Sequence, residues 1–186
     1  MEILPLTRRT RCGPRPALVG YLITYNRLRL ISIAITFDTG PYKGAKKEPD
    51  YLIRPEGLRL PTFTVESGWT ETMTRLEDDL NLLLVGGNGD IKVVLVVKWT
   101  RNSENRVKGT AHLYGLDRNA MPVLKNAVCI FPSPSGPDPP FSIKRRDLFG
   151  PQLLPGRNGS DDLVLDVGIL RRVAANTLDL MGLDPA

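Results

Sequence analysis

The stretch from Thr62 to Trp99, TFTVESGWTETMTRLEDDLNLLLVGGNGDIKVVLVVKW, decides the fold class of this chain. It opens with the β-branched and aromatic run TFTVE, which favours a strand. Leucines then recur at spacings of three and four from Leu76 to Leu84, which predicts an amphipathic helix. The closing run IKVVLVVKW is typical of a central strand covered on both faces. A strand, a helix and a strand in this order predict a crossover that leaves the two strands parallel.

The ends of this helix are predicted from its flanking residues. It should span Glu71–Leu84, with Thr70 or Thr72 as the N-cap. The sequence Gly86-Gly87-Asn88-Gly89 should end it, since glycine and asparagine adopt left-handed backbone angles at low cost. These glycines follow a helix and precede a strand, the reverse of the order that a phosphate-binding loop requires, so that kind of site is excluded.

Further elements are predicted on both sides of this unit. The strand candidates are Leu30–Phe37, Tyr51–Arg54, Val107–Leu116 and Pro122–Phe131, the last two as a hairpin. Residues 132–140, PSPSGPDPP, cannot form regular structure. A final helix is predicted over Asp162–Met181, capped by Asp161 or Ser160 and closed by Gly182. The expected fold class is α/β: a mixed central sheet with a β-meander, a crossover helix and parallel strand, and a C-terminal helix.

Composition narrows the class of protein. The 186 residues suit one domain over residues 17–186, preceded by a basic irregular arm over residues 1–16. Two distant cysteines give no disulfide framework or paired-cysteine zinc site, and a single histidine leaves histidine-based triads almost without support. The apolar run at 17–37 carries two central arginines, each costing about 2.5–3.5 kcal/mol in a bilayer, which argues against a membrane span. We expect an intracellular protein of the cytoplasm or nucleus.

Two acids are candidate functional residues. Asp50 follows a proline and precedes a predicted strand, and Glu66 lies in the next strand. Acids on neighbouring strands of a meander can converge at one edge of a sheet, and Mg²⁺ binds one or two carboxylates together with waters and a substrate phosphate. The alternative is structural: Asp50 would open a strand or cap a turn, and Glu66 would pair with Arg54 or Lys98.

Five short segments carry a family pattern in their order and spacing. They are Lys47-Glu48-Pro49-Asp50, residues 64–71, Val97-Lys98-Trp99, Asp147-Leu148-Phe149-Gly150 and residues 181–186. In this order they resemble the PD-(D/E)xK, or restriction-endonuclease-like, nuclease core, and more narrowly a group of uncharacterised fungal proteins that carry it. The resemblance runs from about Asp38 to Ala186. It implies a divalent-metal-dependent phosphodiesterase or nuclease in which Asp50 and Glu66 hold Mg²⁺, with Mn²⁺ as a substitute.

Two departures from the family pattern bear on activity. The family has a lysine two residues after the second acid, where this chain has Gly68. Lys98 is the substitute that the resemblance suggests, because it ends the strand expected to lie parallel to that of Glu66. The family core also begins with a helix bearing a supporting acid, whereas residues 17–30 contain none. A decayed site would leave a non-catalytic module that binds nucleic acid or protein.

Several cations could contact a polyanion. The net charge is +5, and Arg101, Arg106 and Lys108 follow the strand that carries Lys98, where they could track a phosphate backbone with salt-dependent affinity. A solvated charged loop explains them as well. Trp99 could stack on a base, although burial is favoured, and Asp79 receives no role. The expected partner is nucleic acid, without a membrane, and the oligomeric state stays open.

Overall fold

The computed structural model describes residues 28–30, 34–69, 73–153 and 155–186. The predicted basic arm over residues 1–16 and the cap candidates Thr70 and Thr72 lie outside these residues. Within the described ranges, the structure contains no helix with the length and apolar character needed to cross a membrane.

Eleven strands and three helices are present in the described part of the chain. They are β1 (Leu28–Leu30), β2 (Ile35–Thr36), β3 (Lys46–Lys47), β4 (Tyr51–Pro55), β5 (Phe63–Gly68), α1 (Met73–Gly86), β6 (Val93–Arg101), β7 (Arg106–Leu116), β8 (Pro122–Phe131), β9 (Ser142–Lys144), α2 (Arg145–Phe149), β10 (Asp162–Val164), α3 (Val167–Leu180) and β11 (Asp184–Pro185). Seven strands form one sheet in the order β1-β4-β5-β6-β7-β11, with β8 also paired to β7. Two short antiparallel pairs, β2-β3 and β9-β10, complete the α/β architecture.

The pairing of the central strands agrees with the predicted order. β4 and β5 are antiparallel, and β5 and β6 are parallel with α1 between them in sequence, which confirms the predicted crossover. β6 and β7 are antiparallel, and β7 and β8 form the predicted hairpin. The sheet is therefore mixed: the parallel pair β5–β6 lies at its centre, and the short β11 forms a second parallel pair with β7.

Both faces of the sheet are buried along β6. On one face, the α1 leucines pack with Val94 and Val96; these leucines are Leu76, Leu80, Leu83 and Leu84. On the other face, Leu95 and Val97 pack with residues of α2 and α3. Residues 93–97 are at most 7% exposed, as predicted for a central strand. Full burial of each such aliphatic side chain contributes about 1.5–3 kcal/mol.

The start of the final helix was predicted wrongly. Residues 162–164 form β10, which pairs with β9, and the helix begins only at Val167. Its N-cap is Asp166, whose Oδ1 accepts a hydrogen bond from the Ile169 amide at 2.9 Å. Pairing with β9 determines this segment, because Lys144 and Ser142 of β9 both bind the Asp162 carboxylate. The end of the helix agrees with the prediction, since Gly182 follows it with a φ of +67°.

The predicted strand over Leu30–Phe37 is also not continuous. Residues 28–30 pair with β4, whereas Ile35 and Thr36 pair with β3. Two different partners therefore divide what the Ile-rich pattern presented as one strand, and residues 31–33 lie outside the described ranges.

Arg171 of α3 contacts the end of β8. Its guanidinium donates to the main-chain oxygens of Cys129 (2.7 Å) and Ile130 (3.0 Å). It also donates to both carboxylate oxygens of Asp138 at 2.5 and 2.6 Å. Asp138 lies in the segment 132–140, which has no helix or strand, as predicted. This clip fastens the proline-rich segment and α3 to the sheet.

Candidate functional site

Asp50 lies immediately before β4, across from Glu66 on β5. Tyr51 is in register with Val65 in the antiparallel pair, so the next pair outward is Asp50 and Glu66. Asp50 is exposed, and its Oδ2 accepts a hydrogen bond from the main-chain amide of Ser67 at 2.7 Å. The two acids that the sequence singles out therefore meet at one place in the fold.

Glu66 is one of the few buried charged residues described, at 5% exposure. Its register partner on β6 is Val96, which packs under α1, so Glu66 belongs to the α1 face of the sheet. Its Oε2 lies 3.2 Å from the Lys47 ammonium. Its Oε1 is buried and has no hydrogen-bond partner within the described residues. An unpartnered buried oxygen of this kind is costly, since it has left water without a replacement contact.

Lys47 joins Glu66 to a third acid, Asp79 of α1. The Lys47 ammonium lies 2.6 Å from Asp79 Oδ2, and the two side chains are only 13% and 27% exposed. The sequence predicts no role for either residue. The ion-pair partners that it suggests for Glu66 are Arg54 and Lys98, not Lys47. One signal pointed to Asp79: it stands three residues after Leu76 and one before Leu80, within the apolar stripe of the helix.

Burial controls the protonation of Glu66. The pKa of Glu66 is raised to about 8, chiefly by desolvation and also by the negative charges of Asp50 and Asp79, against the attraction of Lys47. The pKa of Lys47 is raised as well: burial lowers it, but the attraction of Glu66 and Asp79 outweighs the burial. Lys47 lies closer to Asp79 than to Glu66. One lysine thus pairs with two acids, and Glu66 is the acid that retains its proton near neutral pH.

Lys98 lies beside Gly68, the position at which the restriction-endonuclease-like pattern has a lysine. Lys98 and Gly68 are register partners in the parallel pair, so Lys98 is on the same face as Glu66. Neighbouring strands are about 4.8 Å apart and the rise is about 3.3 Å per residue, so the Cα atoms of Lys98 and Glu66 are about 8 Å apart. A Cβ at Gly68 would lie 2.9 Å from Leu76 Cδ1. Because Leu76 of α1 packs directly on this backbone, a lysine at position 68 would require the Leu76 side chain to move.

The three cations predicted to track phosphates do not form one row. Arg101 pairs with Val107 in register, and Lys108 pairs with Thr100. Side chains alternate along a strand, so Arg101 lies on the face opposite to Lys108. Both arginines make main-chain or local contacts: Arg101 Nε donates to Asn105 Oδ1 at 3.1 Å, and Arg106 donates to the Pro185 carbonyl at 3.3–3.4 Å. All three cations are exposed.

Trp99 is buried, as its sequence context favours, and does not present a stacking surface. It is 8% exposed, and its Nε1 donates to Ser67 Oγ at 3.2 Å. Its ring lies 6.3 Å from that of Trp69. Because Ser67 also donates its main-chain amide to Asp50, Trp99 supports the segment that holds the two acids in place.

Two carboxylates are the donors that a cation could use in this cluster. Among the described residues, no group of three or more histidine, cysteine, aspartate or glutamate side chains comes together in a way that could hold a metal ion. Asp50 and Glu66 offer hard oxygen donors, and the buried Oε1 of Glu66 lacks a partner. Mg²⁺ commonly uses one or two carboxylates and completes its shell with waters and phosphate. Asp50 and the Oε1 of Glu66 would supply the two carboxylate donors of such a site, while the Lys47 ammonium lies against the other Glu66 oxygen.

Comparisons with protein-family models, with curated proteins and with solved structures found no match to this chain. The interpretation of the site therefore depends on its geometry and chemistry.

Proposed function

We propose that this chain has a restriction-endonuclease-like fold and is a divalent-metal-dependent phosphodiesterase or nuclease of the cytoplasm or nucleus. The observation that carries the proposal is the Glu66 carboxyl, buried on the strand next to Asp50 with one oxygen unpartnered among the described residues. The order β4, β5, α1, β6, with antiparallel and then parallel pairing, supports the fold. Nucleic acid is the corresponding partner.

Each residue of the cluster has a defined part in this proposal. Asp50 and Glu66 would hold the cation, with Glu66 releasing its proton on binding; a bound cation would lower the pKa of its water and neutralise charge on the phosphoryl group. Lys47, anchored on Asp79, holds the Glu66 carboxylate in position through its 3.2 Å contact. Lys98, on the same face, stabilises negative charge on the phosphoryl oxygens.

A non-catalytic module on the same fold, which binds nucleic acid or protein, is the second candidate. Two observations favour it. Leu76 fills the space at Gly68, which removes the family lysine from its usual position. Lys47 places a positive charge against Glu66 without any metal ion. If this ammonium is the only cation that the acids require, the cluster is a structural ion-pair network and the surface carries the function.

Cleavage assays with matched variants distinguish the two candidates. Plasmid and oligonucleotide substrates are incubated with the protein and Mg²⁺ or Mn²⁺, and Mn²⁺ binding is measured by calorimetry. Asp50→Asn and Glu66→Gln should each lower cleavage by roughly 100-fold or more, because removal of even an outer-shell group costs 10–100-fold. Asp78→Asn and Glu56→Gln remove exposed acids outside the cluster and should leave cleavage unchanged.

Two outcomes contradict the enzyme proposal. If the wild type and both cluster variants cleave equally, the activity does not come from Asp50 and Glu66 and indicates a contaminating nuclease. If the wild type neither cleaves nor binds Mn²⁺, the non-catalytic module is the better account.

A further inference from the structure

A cavity of about 310 Å³ lies on the α1 side of the sheet, at the opposite end of β4 from Asp50. Its principal lining residues include three apolar and three charged side chains: Ile35, Leu52 and Leu60, with Arg54, Arg59 and Asp38. Arg54 follows Asp50 by four residues along β4, which is about 13 Å in an extended strand. Arg54 is therefore well away from Asp50, whereas Ile35, also part of the lining, is the register partner of Lys47 and brings the cavity next to the acid cluster.

The apolar side of the cavity belongs to the core. Ile35, Leu52 and Leu60 are between 3% and 6% exposed and pack in the cluster under α1. Arg54 shares a face of β4 with Leu52, because side chains alternate along the strand, and Ile53 belongs to the core on the opposite face. The Arg54 side chain therefore lies on the cavity side of the sheet.

The two arginines differ in how their charges are satisfied. Arg59 is paired with the Asp38 carboxylate and also donates to the Thr36 carbonyl at 3.4 Å. Arg54 makes one hydrogen bond within the described residues, from Nη1 to the Arg59 carbonyl at 3.5 Å, which is at the limit for such a bond. With Arg59 and Asp38 neutralising each other, the lining has a net charge of +1, located on Arg54.

This combination selects a class of ligand. A guanidinium offers a planar fork of donors that matches a carboxylate or phosphate. An apolar floor favours a hydrocarbon body, and the volume is at the small end of ligand cavities. We propose that the cavity binds a small organic anion with one acidic head group, the carboxylate or phosphate on Arg54 and the apolar body on Leu52 and Leu60. This proposal does not depend on the proposed phosphodiesterase activity, because none of the acid-cluster residues Lys47, Asp50, Glu66 and Asp79 lines the cavity.

The test uses two probes that share one body and differ in head group, 2-naphthoate and 2-naphthyl phosphate. Binding to the full chain is followed by calorimetry and by saturation-transfer NMR, with neutral 2-naphthamide as the control ligand. We expect saturable one-to-one binding of at least one anion and much weaker binding of the amide. Arg54→Gln should weaken binding about tenfold to 100-fold, as expected for loss of a charge-assisted hydrogen bond. Arg118→Gln, at an exposed turn, should bind as the wild type does.

The two probes and a second variant identify the source of any effect. The tighter of the two probes reveals whether the head group is a carboxylate or a phosphate. Thermal melts verify that the variants are folded; if Arg54→Gln is not, Arg54→Lys keeps the charge, loses the fork and should weaken the favoured probe severalfold. Failure of both probes to saturate the wild type overturns the proposal. So does wild-type affinity in a folded Arg54 variant, or an equal loss in Arg118→Gln.

Discussion

Substitution of Gly109 by alanine should destabilise the fold, because the ring of Trp99 lies directly on this glycine. Gly109 and Trp99 are register partners on β7 and β6. A Cβ at position 109 would lie 2.4 Å from Trp99 Cζ3 and 2.6 Å from its Cε3. Carbon atoms in contact prefer about 3.5–4.0 Å, so the ring would have to move by about 1 Å or more.

The expected cost follows from what holds the ring. Trp99 is buried and donates to Ser67 Oγ, so a shift overpacks its surroundings and breaks this hydrogen bond. Overpacking costs about 1–3 kcal/mol, and the hydrogen bond contributes about 0.5–1.5 kcal/mol. Alanine regains about 0.5–1 kcal/mol over glycine within a strand. We expect a net loss of about 2–3 kcal/mol in the free energy of unfolding, and a melting temperature about 5–10 °C lower.

Urea denaturation and calorimetry measure this loss. Gly136→Ala is the matched control, since its Cβ would meet nothing within 4 Å, and it should change stability by no more than about 0.5 kcal/mol. Trp99→Leu removes the clashing ring, so the double variant Gly109→Ala/Trp99→Leu should be more stable than the sum of the single effects predicts. The reasoning is refuted if Gly109→Ala is as stable as Gly136→Ala, or if the two substitutions are simply additive.

Three further predictions concern the acid cluster. Lys47→Met should lower the free energy of unfolding by about 1–3 kcal/mol in urea titrations, because two partly buried acids lose their cation. Lys47→Arg keeps the positive charge and should retain most of the wild-type stability. Equal stability of the two variants would contradict the ion-pair network. The folded pKa of Glu66 is about 8, above its ordinary 4.5, so its contribution to stability is present below pH 4.5 and is lost as the pH rises through 8. The free energy of unfolding, measured from pH 4.5 to 8, should depend less on pH in Glu66→Gln than in the wild type. Equal slopes in the two proteins would show that the burial of Glu66 does not cause the pH dependence. Gly68→Ala should cost at least about 1 kcal/mol through overpacking against Leu76, with partial recovery in Gly68→Ala/Leu76→Val; a neutral effect would mean that α1 adjusts freely.

The central unit of the fold could be predicted because its patterns are local and strong. The leucine spacing of α1 and the continuous apolar run of β6 each specify an element without reference to a partner. The start of α3 could not be predicted in the same way, since Leu163 and Leu165 fit the flank of a helix as well as a strand. Only pairing with β9, some twenty residues earlier in the chain, decides between the two.

The candidate site was predicted in part. Asp50 and Glu66 are brought together by a meander that the sequence indicates. Lys47 was missed because its contacts come from a two-residue strand, β3, whose position depends on its pairing with β2. The separation of Arg101 from Lys108 depends on the register of the β6–β7 hairpin, which sequence spacing alone does not determine. Contacts that depend on very short strands or on strand register could therefore not be predicted from the sequence and are known only from the structure.

The clip between Arg171 and β8 has a consequence for how molecules of this protein behave at high concentration. In the described part of the chain β8 pairs only with β7, so its other side is an open edge, and such edges recruit strands from neighbouring molecules. Leu124 on the same strand is 52% exposed and adds an apolar contact. By occupying the carbonyls of Cys129 and Ile130, Arg171 removes acceptors that an incoming strand would need. The ion pair of Arg171 with Asp138 also places two polar side chains at this end of the strand, so we expect this arginine to protect the protein against edge-to-edge aggregation.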